Sequence, residues 1–223
     1  MNQILEDLFV TYATQSHKAL REALDGLSRE TLMATMVDLL TLYLNDPNSS
    51  TAREFITLRV AGYQPVEGKL GYNGYRMLAP KVQQFCEVKP VNVYHRENGQ
   101  VSRKLNGGGN FSDYTPERLQ QDLAQASLQM LVSGFVDGRL VYVLEFPFQC
   151  LERRLRELLA ARFSEKERQP NEYLRSAAFS FQHYAACFPE EGRLVYRAAD
   201  LDAFRDAMTR NFFHFLSQLP VTE

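Results

Sequence analysis

With 223 residues, 45% of them apolar, and a formal net charge of −2, the chain has the makeup of a folded globular protein and not of a disordered one. Near-neutrality excludes nucleic-acid binding through a global positive field and leaves that task to a local basic patch. The sequence has no apolar run of about 18 residues to span a membrane, and Met1–Asp7 lacks the basic and apolar regions of a secretory signal.

Residues 2–43 carry apolar side chains at helical spacing, from Ile4 and Leu5 through Leu20, Leu24 and Leu27 to Leu40. A loop is expected over Asn45–Asn48, then a short helix capped by Ser50 or Thr51 and closed by Gly62 and Pro65. Leu70–Met77 reads as a strand interrupted by Gly71 and Gly74. Val82–Tyr94 reads as a second strand, with its ladder interrupted at Pro90. Asn98–Gly99 signals a hairpin turn, with Val101–Leu105 as the return strand. Asn106–Asn110 reads as a flexible Gly-rich loop.

Thr115, Pro116 and Glu117 are cap, first-position and first-turn residues of a helix expected to reach Met130. Asp137–Gly138 joins the strands Leu131–Val136 and Leu140–Phe146. A basic amphipathic helix follows over Leu151–Phe163. The rest is mostly helical, with a short strand at Leu194–Tyr196. Phe212, Phe213, Phe215 and Leu216 are read as core or a dimer face. This order implies an α/β (α+β) fold with a central mixed β-sheet flanked by helices. It is expected as one domain: a helical region 1–48, a core 50–150 and a helical region 151–223.

Cys86, Cys150 and Cys187 show neither CxxC nor zinc-ligand spacing, and an odd count favours a reducing compartment. No Gly-Lys-Ser/Thr follows the Gly-rich run, so no nucleotide cofactor is expected. Arg103, Lys104, Asn106, Gly108 and Asn110 are candidate DNA contacts, through charge, backbone amides and adenine-reading amides. The bland alternative is a mobile surface loop. Arg153, Arg154, Arg156, Arg162, Lys166 and Arg168 alternate with glutamates, the pattern of a solvated helix face.

The residues that carry chemistry lie on the second strand. Glu87 and Lys89 are two apart, so both project from one face, with Val88 on the other. Most Glu-x-Lys triplets on strands are solvated faces or cross-strand ion pairs. Here the strand is apolar, and Asn73, in Gly71-Tyr72-Asn73-Gly74, precedes Glu87 with thirteen residues between them. This arrangement, with a glutamate-bearing helix upstream (Glu54) and a helix and strand downstream, resembles the PD-(D/E)XK nuclease superfamily, and type II restriction endonucleases within it.

That resemblance covers residues 50–150 and implies a restriction-endonuclease-like core with helical additions at both ends. It also implies a cytoplasmic prokaryotic enzyme that hydrolyses double-stranded DNA with Mg2+. Position 73, Glu87 and the Val88 carbonyl would hold the ion, and Lys89 would orient or activate the attacking water. Cutting both strands implies a homodimer, for which the N-terminal helices offer a surface. Asn73 departs from the family pattern, because an amide lacks the charge of the expected acid. Even at an effective dielectric of about 20, one anion beside a divalent cation is a gross term of several kcal/mol.

Three explanations stay open. The nearness of Asn to Asp in size favours an Asp→Asn inactivated variant. A naturally altered nuclease would draw its second carboxylate from Glu54 or Glu67. A decayed core would bind DNA without cutting it. A repair or junction-resolving nuclease is the alternative enzyme.

Overall fold

The apolar periodicity of the first segment folds into three helices, α1 (Gln3–Thr14), α2 (His17–Asp25) and α3 (Arg29–Asn45). The computed structural model describes residues 3–14, 16–45, 50–66, 71–163, 171–188 and 190–221. Ser16 caps α2 by accepting from Ala19 N at 3.3 Å, and the Ser28 hydroxyl accepts from Thr31 N at 3.1 Å at the start of α3. Eight large apolar side chains of α3, between Leu32 and Tyr43, are exposed. Residues 1–49 and 50–223 form two compact units.

The second unit begins with α4 (Thr51–Val60), β1 (Gln64–Pro65), β2 (Gly74–Ala79) and β3 (Val82–Val93). Then come β4 (Gly109–Tyr114), α5 (Pro116–Ala124), β5 (Gln129–Val136), β6 (Arg139–Pro147) and α6 (Glu152–Phe163). β7 (Leu174–Phe179), β8 (Arg193–Arg197) and α7 (Arg210–Gln218) complete it. Six strands form a mixed sheet in the order β1-β2-β3-β5-β6-β8. β3 and β5 run parallel across the crossover that contains α5, and the other neighbours are antiparallel. β4 and β7 form a separate antiparallel pair.

Strand alternation splits the core between the two sheet faces. Cys86, Val88, Leu131 and Val143 pack with Leu58, Ala61 and Tyr63 at α4. Val132, Leu144 and Phe146 join the larger cluster on the other side, with Leu155 of α6 and Tyr184. Phe212 and Leu216 of α7 are fully buried in that cluster, so they are core. Asp137 and Gly138 both take positive φ, the requirement of the tight β5–β6 hairpin.

Several expectations are corrected. Val101–Leu105 is no return strand: Val101 makes one bridge to His95, and Leu105 one to Met208. The Gly-rich loop is packed, since the Tyr184 hydroxyl donates to Gly107 O at 2.6 Å. A Cβ on Gly108 would lie 2.4 Å from Phe179 O. α5 stops at Ala124, and Met130 belongs to β5. Pairing of β3 with β5 runs through Pro90 without a break. Val88 N points to the β2 side, so alternation sends the donor-less Pro90 nitrogen to that same side. There, past Cys86, no described strand is hydrogen-bonded to β3. β7, in a region read as helical, went unrecognised.

The odd cysteine count resolves into a Cys150–Cys187 disulfide and a buried free thiol at Cys86. It therefore does not carry the compartment argument placed on it. Among the described residues no helix is long and apolar enough to cross a membrane.

Candidate active site

Glu87 and Lys89 project from the β3 face opposite α4, as their spacing requires. Lys89 Nζ lies 2.7 Å from Glu87 Oε1, with side chains 18% and 13% exposed respectively. Such a half-buried pair gains more from charge than a solvated one and is poorly screened by salt. Lys89 is also seated 4.5 Å over the ring of Phe111 in β4, a cation–π contact. Gly109 makes that seat possible, since a Cβ there would meet Lys89 Cβ and the Phe179 ring at 2.7 Å.

Asn73 closes the turn into β2. Its backbone N donates to Cys86 O at 3.1 Å. Its side-chain Oδ1 accepts from Val88 N at 2.8 Å, and its Nδ2 donates to Glu54 Oε2 at 3.2 Å. Ser50 Oγ donates to the other oxygen of Glu54. Asn73 therefore ties the first helix of the second unit to the middle of β3. Because Val88 N faces this edge, alternation puts the Val88 carbonyl there too. Glu54, Asn73 and Val88 thus meet at the free edge of β3, and Glu87 and Lys89 flank Val88 in sequence. Glu67, the other candidate acid, lies outside the described residues, as do Lys166 and Arg168.

Around this pair stand groups that sequence reasoning missed or took as packing. Asp122 of α5 is nearly inaccessible, with 1% exposure. It accepts from the Tyr114 hydroxyl at 2.9 Å, the Tyr72 hydroxyl at 3.3 Å and Arg118 Nε at 2.9 Å. Burial, then the charge of Asp122, pushes the Tyr72 phenol up to about 12. Tyr114 is raised further, with burial again the first cause and Asp122 the second. Both phenols are therefore neutral donors in the physiological range. Burial opposes the charge of Arg118, but Asp122 and then Glu87 outweigh it and hold its pKa above the ordinary value. The capping signal at Thr115 located α5, but nothing in the sequence linked Asp122 to Tyr72, fifty residues away.

The candidate DNA contacts divide. Arg103, Lys104, Asn106 and Asn110 are exposed, whereas Gly108 is buried against Phe179 and cannot approach a phosphate. Asn110 Oδ1 accepts from Ser176 Oγ at 2.6 Å, which commits its amide oxygen across the β4–β7 pair. On α6, Arg156 pairs with Glu152 at 2.7 Å and Arg153 with Glu157 at 3.7 Å, the solvated-face pattern.

Among the described residues, one group of three His, Cys, Asp or Glu side chains could share an ion: Cys150, Cys187 and Glu191. Its sulfurs are spent in the disulfide. At β3 the donors are mixed: carboxylates at Glu54 and Glu87, an amide at Asn73 and the Val88 carbonyl. A scan against protein-family models and a comparison with curated protein sequences returned no match to this chain.

Proposed function

We propose that the chain is a Mg2+-dependent endonuclease for duplex DNA, acting in the manner of a type II restriction enzyme. The observation that carries the reading is the convergence at Asn73. One amide bridges the Glu54 carboxylate and the backbone beside Glu87 and Lys89. Glu87 Oε2 has no hydrogen-bond partner among the described residues, since Lys89 engages Oε1.

The donor set is all oxygen, which suits Mg2+. Glu87, Glu54 and the Val88 carbonyl would hold it, with Asn73 Oδ1 as a neutral fourth donor. Bound there, Mg2+ would acidify a water and offset charge on the phosphate. Lys89, fixed by Glu87 and Phe111, would direct its remaining protons at the phosphoryl oxygen and the attacking water. Tyr72 and Tyr114 stay protonated and hold α5 against this face through Asp122.

Asn73 fits this reading as it stands. An aspartate there would lose the donor to Glu54 and set two carboxylates side by side. Glu54 is therefore the second acid of the proposal. Cutting both strands needs two centres, so a homodimer is part of the reading. The exposed apolar side chains of α3 are the surface that reading assigns to a second copy.

Plasmid digestion in Mg2+ tests the assignment. The unaltered chain should give discrete fragments, and Glu54→Gln and Glu87→Gln should not. Fragments from Asn73→Asp alone would return the second acid to position 73. No cleavage by any form would sink the enzyme reading and favour DNA binding on a decayed core.

A further inference from the structure

We propose that Arg118 is a second phosphate-binding cation of the site, positioned by Asp122 to take a phosphodiester oxygen beside Glu87 and Lys89. The proposal rests on the nuclease reading for the identity of its ligand. Arg118 sits in the first turn of α5, just after the Thr115 cap and Pro116. A cation there opposes the positive end of the helix dipole, a place that favours acids. The chain offsets this with a buried carboxylate one turn later, bonded to Arg118 Nε at 2.9 Å.

Asp122 does more than neutralise. Its Oδ1 accepts from Tyr72 and Arg118 and its Oδ2 from Tyr114, so the carboxylate is held from both oxygens and orients the guanidinium it bonds. The Tyr72 ring lies 5.8 Å from the guanidinium carbon. Among the described residues the two terminal nitrogens of Arg118 make no hydrogen bond, and its side chain is 37% exposed. Pinned at Nε and open at both Nη atoms, the guanidinium keeps the fork that matches two phosphate oxygens. The surroundings of Glu87 then hold two cations, Lys89 and Arg118, where the sequence offered one.

The test uses the full chain and a fluorescein-labelled mixed-sequence duplex in Ca2+, read by anisotropy across salt concentrations. Arg118→Gln should weaken binding about tenfold and lower the salt slope by about one. Arg118→Lys should keep the slope while losing affinity, because it keeps the charge but not the fork. An Arg118→Gln protein with unchanged melting temperature, affinity and slope would overturn the proposal.

A second readout separates this from the nuclease reading. The Arg118 Nε–H resonance of 15N-labelled chain, assigned by its loss in Arg118→Lys, is followed during titration with inorganic phosphate. A phosphate-induced shift without duplex binding would uphold the anion seat and overturn the nuclease reading. No shift with either phosphate or duplex would overturn the seat.

Discussion

Gly109 has no room for even a methyl group, with Lys89 Cβ and Phe179 each 2.7 Å from where one would sit. Gly109→Ala should therefore cost about 1–3 kcal/mol, the usual range for overpacking, measured by urea unfolding. It should also lower plasmid cleavage, because the atom displaced belongs to Lys89. His95 sets a different test. Its hydrogen bond to Asp137 raises its pKa above 6.5; burial opposes the rise, and the charges of Asp137 and Asp206 add to it. A raised folded pKa stabilises the protonated form. That contribution is full below about pH 6.5 and fades as pH climbs through the raised value. The difference in unfolding midpoint between the chain and His95→Asn should thus be larger in acid and vanish in alkali.

At the scale of elements, α5 positions both Asp122 and Arg118, and its first turn depends on Thr115, whose hydroxyl accepts from Arg118 N at 3.2 Å. Thr115→Ala should cost about 1 kcal/mol, read by thermal melting, and should loosen Arg118 before it loosens the sheet. Thr115–Pro116 and Asp137–Gly138 were legible because caps and tight turns are written in adjacent residues. Glu87 and Lys89 were legible because strand alternation fixes their common face. The Gly-rich loop was misread because glycine burial there is decided by Tyr184, Phe179 and Phe212, remote in sequence. β7 pairs with β4 across 60 to 70 residues, from Tyr114↔Leu174 to Gly109↔Phe179, and its Leu-Arg-Ser-Ala-Ala-Phe lacks the alternation that marks a strand. The Asp122 cluster was invisible for the same reason: a buried carboxylate is known by its partners, not by its neighbours in the chain.

Across the molecule, the Cys150–Cys187 bond closes a 37-residue separation that spans α6 and β7. Loop-closure entropy for that length is about 4 kcal/mol. Adding a reductant should lower the urea-unfolding free energy by up to this amount, and Cys150→Ser/Cys187→Ser should abolish the effect of the reductant.

That sheet edge has one more consequence. β2 accompanies β3 as far as Cys86 and then stops, and at Val88 a side chain, the Asn73 amide, takes the backbone N–H in place of a neighbouring strand. A bare strand edge is also a template for the next chain, the usual start of edge-to-edge aggregation. Pro90 stands two residues on, with no N–H to offer an incoming strand. The proline lets the protein keep an open seam in its sheet while denying another copy the means to zip onto it.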